Sequence, residues 1–210
     1  EDEIPEASGD PTDSEPDQIY KLGVHRLMCG SGIKEEDLKK LMGDQKADLI
    51  FTDLSYTEIP NQDGQRLVDD VYQTWLGAFT NMVTVSKGGF SYYVCSPPNG
   101  ELTMMTALDE AGIPARQTII WDRDHITTGG NYRQKHESIF YGWGGTHKFY
   151  GGRSKNSVWE FDNPAQSDSH PTAKPIALII EAINNSSKDG DIVLDLFERP
   201  YLERLLEAKG

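Results

Sequence analysis

Short apolar runs and amphipathic stretches alternate along most of this chain. The clearest apolar run is Ala47–Asp53, which is typical of a parallel strand buried on both faces and which ends in a carboxylate. Further strands are predicted at Phe90–Cys95, Gln117–Trp121, Ile139–Trp143 and Asp191–Phe197, and residues 20–28 predict a short extended segment or hairpin. Because parallel sheets bind ligands at the carboxyl ends of their strands, Asp53 is a candidate functional residue.

Helical periodicity separates these strands. Residues 66–85 place their apolar side chains on one side of a helix, at Leu67, Val71, Trp75, Phe79, Met82 and Val83. The sequence Lys87-Gly88-Gly89 is predicted to end that helix, and other helices are predicted at Lys34–Met42, Leu102–Ala111 and Pro175–Asn184. Strands that alternate with helices predict an α/β fold, a three-layer sandwich built on a mostly parallel sheet.

Composition divides the chain into two parts. Residues 1–18 contain many acids, three prolines and few apolar side chains, and they predict a disordered acidic linker ahead of one domain at 19–210. No apolar run approaches the roughly 20 residues that a membrane span needs. The acidic start is unlike a signal peptide, and Cys29 and Cys95 have no disulfide or zinc spacing. We therefore expect both cysteines to be buried, in a cytoplasmic protein.

The charge is distributed unevenly. The formal net charge is −14, but residues 1–18 hold eight acids and no Lys or Arg, which leaves −6 on the rest. Between Arg116 and Lys155 the sign reverses, with seven basic residues against three acids. Attraction to phosphate is local and is screened within about 10 Å, so a basic stretch can bind DNA in an acidic protein. On charge alone, DNA contact and an ordinary solvated loop explain this stretch equally well.

Five segments carry side chains suited to chemistry. They are Thr52-Asp53-Leu54-Ser55-Tyr56, Tyr132–Trp143 with Lys135-His136-Glu137 inside it, Val158-Trp159-Glu160-Phe161, His170-Pro171-Thr172-Ala173-Lys174-Pro175, and Asp191–Phe197. Their order resembles the permuted (beta-type) amino-methyltransferases of DNA. In that family an Asp-Pro-Pro-Tyr catalytic motif comes first, a His-Pro-Thr-x-Lys-Pro motif later, and the glycine loop for the cofactor last. The resemblance runs from about Tyr20 to Phe197.

The resemblance implies a Rossmann-like, S-adenosylmethionine-dependent methyltransferase fold. The implied reaction is site-specific methylation of the exocyclic amine of adenine, or as second choice of cytosine N4, in duplex DNA. Asp53 and the Leu54 carbonyl would accept the two N–H groups of the amine, and Tyr56 would stack on a base flipped out of the duplex. Asp at position 53 favours adenine. Without the other segments, a turn carboxylate beside a packing tyrosine is the better explanation of Asp53 and Tyr56.

The resemblance also implies binding residues and partners. The cofactor S-adenosylmethionine would be lined by Ser31, His170, Thr172, Lys174, Asp195 and Phe197. DNA would be contacted from a basic insertion at 122–157, by Arg123, Arg133, Lys135, His136, Lys148 and Arg153. A ParB-like module upstream, a homodimer and a role in restriction-modification are further expectations. The histidines have no zinc spacing, so no metal site is predicted.

Three departures from the family pattern fall on functional motifs. Leu54-Ser55 replaces the Pro-Pro of the catalytic motif, and Ser31 follows Cys29-Gly30 where the family has an acid. After Phe197 the glycine-rich turn and the following strand, roughly 20 residues, are missing, so the backbone has no glycines for close approach to the cofactor. Either these residues are absent from this sequence alone, which the abrupt junction favours, or the protein has lost its cofactor loop.

Three functions follow from these observations. The first is methylation of adenine in duplex DNA by base flipping. The second is a catalytically impaired relative that binds DNA or regulates without methyl transfer. The third is an α/β domain that acts on a small nucleotide. Binding of S-adenosylmethionine separates the first two, and binding of duplex DNA at low salt separates both from the third.

Overall fold

A six-stranded sheet forms the centre of the fold in the computed structural model, which describes residues 16–54, 68–97, 99–123, 131–162 and 174–197. The strands are β1 (Ile19–Leu22), β2 (His25–Met28), β3 (Ala47–Asp53), β4 (Ser86–Ser96), β5 (Gln117–Asp122), β6 (His136–Gly145), β7 (Val158–Glu160) and β8 (Val193–Leu194). The helices are α1 (Glu35–Met42), α2 (Val68–Val85), α3 (Glu101–Glu110) and α4 (Ile176–Ser186). Strands β1 and β2 form a separate antiparallel hairpin.

The strand order of the central sheet is β7-β5-β6-β4-β3-β8. Strand β3 is parallel to β4 and β8, and β5 is parallel to β7, whereas β6 is antiparallel to both of its neighbours. Among the described strands of this sheet, β6 alone therefore runs against the others, which confirms the predicted mostly parallel sheet. The carboxyl ends of the other five strands consequently meet the amino end of β6 at one edge of the sheet.

Apolar side chains on both faces of the sheet form two cores. Along β3, Ile50 packs into the core that α1, α2 and α3 cover, whereas Leu49 and Phe51 pack into the core that α4 covers. Each core contains an aromatic side chain that is almost completely buried, Trp75 from α2 on one face and Tyr93 from β4 on the other. Helices cover both faces of the sheet, so the predicted three-layer sandwich is confirmed.

Most predicted elements are present; the structure corrects three predictions and adds one strand. Strand β4 begins at Ser86, so Lys87–Gly89 belong to the strand and the prediction that they end the helix is wrong. Cys29 is exposed on the hairpin, contrary to expectation, whereas Cys95 is buried. Strand β7 has three residues, too few to produce a pattern, and the last predicted strand is reduced to Val193–Leu194.

The predicted DNA-contacting insertion contains a strand of the sheet. Strand β6 lies within residues 122–157 and separates β4 from β5. The predicted acidic linker lies mainly outside the described residues, and β1 begins at Ile19. Within the described parts of the chain, none of the helices has both the length and the hydropathy to cross a membrane.

Replacing Gly142 by Ala is expected to destabilise the fold. A Cβ atom at this position of β6 would lie 2.3 Å from the Tyr92 hydroxyl, which is buried and donates to the Ile113 carbonyl. Such overpacking costs about 1–3 kcal/mol. Gly77 in α2 is the control, because its Cβ position is open and Ala there is expected to stabilise the helix by about 1 kcal/mol. Urea unfolding of G142A and G77A measures both, and equal midpoints would contradict the packing argument.

Candidate functional site

Four charged side chains form a series of consecutive ion pairs at the edge of the sheet where the strands end. The Lys174 ammonium lies 2.8 Å from Asp53 Oδ2 and 3.1 Å from Glu137 Oε2. The other oxygen of Glu137, Oε1, accepts from Arg123 Nη1 at 2.9 Å. We call Asp53, Lys174, Glu137 and Arg123 the edge cluster. Its two cations and two anions alternate, so that each ion pair joins opposite charges.

The topology of the sheet explains why these residues meet. Asp53 is the last residue of β3, and Glu137 is the second residue of the antiparallel β6, so both lie at the same edge. Arg123 directly follows β5, and its backbone N–H donates to the Lys135 carbonyl at 2.8 Å, which extends the pairing of β5 with β6. Lys174 precedes the proline at the start of α4, so the helix layer and not the sheet brings Lys174 to this edge.

Burial makes the interactions within the edge cluster strong. The Lys174 side chain is only 8% exposed. Burial by itself would lower the pKa of Lys174, but the negative charges of Asp53 and Glu137 outweigh it and raise the pKa above its ordinary value. Lys174 therefore stays protonated across the physiological range. The ring of Trp121 lies 5.9 Å from its ammonium and closes this side of the cluster.

A second carboxylate lies next to Asp53 but has different partners. Asp195 Oδ1 accepts from the Thr52 hydroxyl at 2.7 Å and from the Phe197 backbone N–H at 3.0 Å. Burial raises the pKa of Asp195 to about 6; the two hydrogen bonds oppose this shift, and the charge of Asp53 adds to it. Because Thr52 donates to Asp195 and is followed directly by Asp53, the two carboxylates lie close together at the ends of adjacent strands. Asp53 lies beside a cation, and Asp195 lies beside neutral donors.

The loop between β2 and α1 packs against the end of β8. A Cβ atom on Gly32 would lie 2.4 Å from the Leu196 carbonyl oxygen, so only glycine allows this approach. The Ser31 N–H donates to Asp37 Oδ2 at 2.9 Å. The structure therefore brings the predicted residues Ser31, Asp195 and Phe197 to one region. It also adds Asp37, whose carboxylate lies beside the position where the resembling family has an acid.

The remaining predicted catalytic and cofactor residues are only partly described. Leu54 is almost completely buried against the helices of the first core. Tyr56, His170 and Thr172 lie outside the described residues, so their predicted roles remain predictions. Lys174 was expected on the cofactor side, and its contacts are with Asp53 and Glu137. Sequence reasoning assigned no role to Glu137, although it lies in the Lys135-His136-Glu137 motif.

The predicted DNA-binding residues separate into groups. Arg123 is mostly buried in the edge cluster, whereas Arg133, Lys135 and His136 are exposed on the same edge, where Lys135 pairs with Asp122 at 2.8 Å. Tyr132 beside them is 98% exposed.

Lys148 and Arg153 lie near the opposite end of α4. The Tyr150 N–H between them donates to the Asn185 carbonyl in the last turn of that helix. Helix α4 has 11 residues and starts beside Lys174, so its far end is about 15 Å from the edge cluster. No group of metal-binding residues occurs in the described parts of the chain.

Comparison with known proteins gives a family and a fold. A family model described as DNA methylase matches residues 47–198, about three quarters of the chain. Among solved structures, the M1.HpyAVI complex with SAM has a TM-score of 0.62 at 18% identity, covering 83% of this chain and 82% of that one. TTHA0409 of Thermus thermophilus, described as a DNA modification methylase, has a TM-score of 0.62 at 15% identity, with 86% and 82% covered. No curated protein matches by sequence.

Replacing Asp195 by Asn is expected to stabilise the protein more at neutral than at acidic pH. The folded protein keeps a proton on Asp195 up to a pKa of about 6, whereas the unfolded chain releases it near pH 4, so the contribution of Asp195 to stability falls as pH rises through this interval. Asn retains an acceptor for Thr52 and Phe197 but carries no charge. Above pH 6 the gain in the free energy of unfolding should be about 2 kcal/mol larger than near pH 4.

Urea unfolding of D195N and the wild type at two pH values, about 4.5 and about 7.5, tests this dependence. The exposed Asp44→Asn is the control and should show no comparable change between the two pH values. A difference between D195N and the wild type that is the same at both pH values would contradict the raised pKa.

Proposed function

Because the chain belongs to the DNA methylase family, we propose that it transfers a methyl group from S-adenosylmethionine to the exocyclic amine of adenine in duplex DNA. The observation that carries this proposal is the pair of carboxylates, Asp53 and Asp195, joined through Thr52 at the carboxyl ends of β3 and β8. Asp53 is suited to bind the amine that is methylated, and Asp195 is suited to bind a cationic cofactor. This edge is where open α/β sheets bind their ligands.

The residues at the end of β8 fit the proposed cofactor. S-adenosylmethionine carries an ammonium group, and the Asp195 carboxylate has neutral donors and no cation as partners among the described residues. Ser31 and Phe197 lie in the same region, where Gly32 keeps the backbone close to Leu196. We assign Asp195, Ser31 and Phe197 to the cofactor, with His170 and Thr172 added by the family motif. The cofactor supplies a methyl group activated on a sulfonium.

Asp53 and Leu54 would act on the amine. The lone pair of an exocyclic amine is delocalised into the base, so the amine needs acceptors that hold its N–H groups as it attacks. Lys174 binds Oδ2 of Asp53, and Oδ1 has no hydrogen-bond partner among the described residues. Oδ1 would accept one N–H and the Leu54 carbonyl the other. Positioning and electrostatics then supply the rate, and the nitrogen releases its proton after the transfer.

Access to the amine requires the base to leave the duplex. Exocyclic amines are paired inside DNA, and enzymes that modify them flip the base into a pocket. Tyr56 is proposed to stack on the flipped base. The exposed side chains of Arg133, Lys135 and His136 lie at the edge that carries Asp53, and they are proposed to contact the phosphates around it.

A second function is favoured by one observation, the replacement of Pro-Pro by Leu54-Ser55. Proline fixes φ, and its loss removes one constraint on the acceptor carbonyl. The alternative is therefore a methyltransferase fold that binds DNA or regulates without methyl transfer. Under this alternative the wild type binds duplex DNA and incorporates no methyl group.

Transfer of a labelled methyl group into duplex DNA tests the proposed reaction. The wild type should incorporate label, and mass spectrometry of the digested DNA should identify N6-methyladenine; N4-methylcytosine would correct the base assignment. Asp53→Asn should reduce kcat by about 100-fold or more, since it removes the charged acceptor beside the amine. Asp109→Asn on α3 is the control and should keep full activity. A D53N variant as active as the wild type would rule out the proposed site.

Charge reversal at two arginines tests the proposed DNA contact. Arg133→Glu should weaken binding to duplex DNA about tenfold or more and reduce the dependence of log Kd on log salt, because fewer counterions are released. Arg153→Glu makes the same change in the segment at the far end of α4 and should have a smaller effect. Fluorescence anisotropy at several salt concentrations measures both. Equal weakening by R133E and R153E would place the contact elsewhere.

A further inference from the structure

The charges of the edge cluster cancel only because Glu137 is part of it. Without Glu137 the cluster would hold Asp53, Lys174 and Arg123, with a formal charge of +1. We propose that Glu137 is a positioning residue that keeps the edge cluster neutral by holding both cations, so that Asp53 can stabilise the positive charge that forms on the methylated amine. This inference rests on the proposed function.

The geometry of Glu137 suits this role. Each of its carboxylate oxygens contacts a different cation, Oε1 with Arg123 at 2.9 Å and Oε2 with Lys174 at 3.1 Å. Lys174 contacts Asp53 through the same ammonium, at 2.8 Å. The charge of Lys174 is thus shared between two carboxylates. If Glu137 were neutral, Asp53 would be the one carboxylate left on the ammonium among the described residues, and Arg123 would remain mostly buried without an anion there.

The net charge of the edge cluster matters because methyl transfer moves positive charge toward Asp53. As the amine attacks, its lone pair forms the new N–C bond, the C–S bond breaks, and the electrons of that bond remain on sulfur. Positive charge therefore moves from sulfur to a nitrogen beside Asp53, and the nitrogen then gives a proton to water. A net charge of +1 at the cluster would oppose this movement. A neutral cluster leaves the carboxylate of Asp53 effective as an acceptor.

Three substitutions separate charge from packing. Glu137→Gln should lower kcat on the order of 20-fold, which is the size Coulomb's law gives for loss of a unit charge at a separation on the order of 10 Å and an effective dielectric of about 20, while KM for DNA changes little. Glu137→Asp keeps the charge and should retain most of the activity. Arg123→Gln added to E137Q restores neutrality and should recover part of the lost kcat. Glu160→Gln, at the end of β7 on the same edge, is the matched control and should resemble the wild type.

Calorimetry of cofactor binding without DNA gives a readout that does not depend on catalysis. S-adenosylmethionine is cationic at sulfur and S-adenosylhomocysteine is neutral there, so the ratio of their affinities reports the field at that position. E137Q removes a negative charge and should weaken binding of S-adenosylmethionine relative to S-adenosylhomocysteine. R123Q alone removes a positive charge and should strengthen it relative to S-adenosylhomocysteine. Thermal unfolding of each variant verifies that it is folded.

The outcomes are distinct. A lower kcat in E137Q, recovery in the double variant and opposite shifts of the affinity ratio support the inference. If E137Q has the same kcat and affinity ratio as E160Q, the inference is overturned. It is also overturned if E137Q loses kcat, added R123Q does not restore it and the affinity ratio is unchanged, because packing alone would explain that loss. A wild type that binds both ligands but transfers no methyl group refutes the proposed reaction, while the ratio still tests Glu137. A wild type that binds neither ligand overturns both proposals.

Discussion

A lysine ammonium lies inside the protein at the edge of the sheet, where its lost hydration has to be replaced by nearby carboxylates. Asp53 and Glu137 fulfil this requirement for Lys174 at 2.8 and 3.1 Å. They belong to β3 and β6, and β6 brings Glu137 to the edge only because it runs antiparallel to the rest of the sheet. The start of α4 must lie at the same edge, because Lys174 immediately precedes it. The ion cluster therefore depends on strand direction and on helix position together.

The same edge holds two carboxylates in different electrostatic surroundings. Asp53 contacts a cation, whereas Asp195 receives hydrogen bonds from the neutral donors Thr52 and Phe197 and is partly buried, and its desolvation raises its pKa to about 6. A desolvated carboxylate that contacts no cation is stabilised strongly by a cation that binds later. Asp195 is therefore suited to an exchangeable cationic ligand, and Asp53, next to a fixed cation, to a polar group that must be oriented.

The sequence predicted the sheet better than the contacts made at its edge. Strand β3 matches its predicted bounds, because burial on both faces leaves a continuous apolar run that ends at a carboxylate. Lys174 was assigned to the cofactor, and its partner Asp53 lies 121 residues away, a separation that no local pattern can reveal. Glu137 was missed because its importance depends on the antiparallel direction of β6. Cys29 was expected to be buried, and the hairpin that carries it is too small to cover it.

Leu54 shows how packing can substitute for a proline. A proline at this position would fix φ and so hold the carbonyl that follows Asp53. The Leu54 side chain is 2% exposed and lies in the same core as Leu196, which follows Asp195. Rotation of the backbone at Leu54 would withdraw this side chain from the core and expose apolar surface to water, at a cost of about 1.5–3 kcal/mol. The backbone here is thus restrained by burial, and one apolar core holds both the residue after Asp53 and the residue after Asp195.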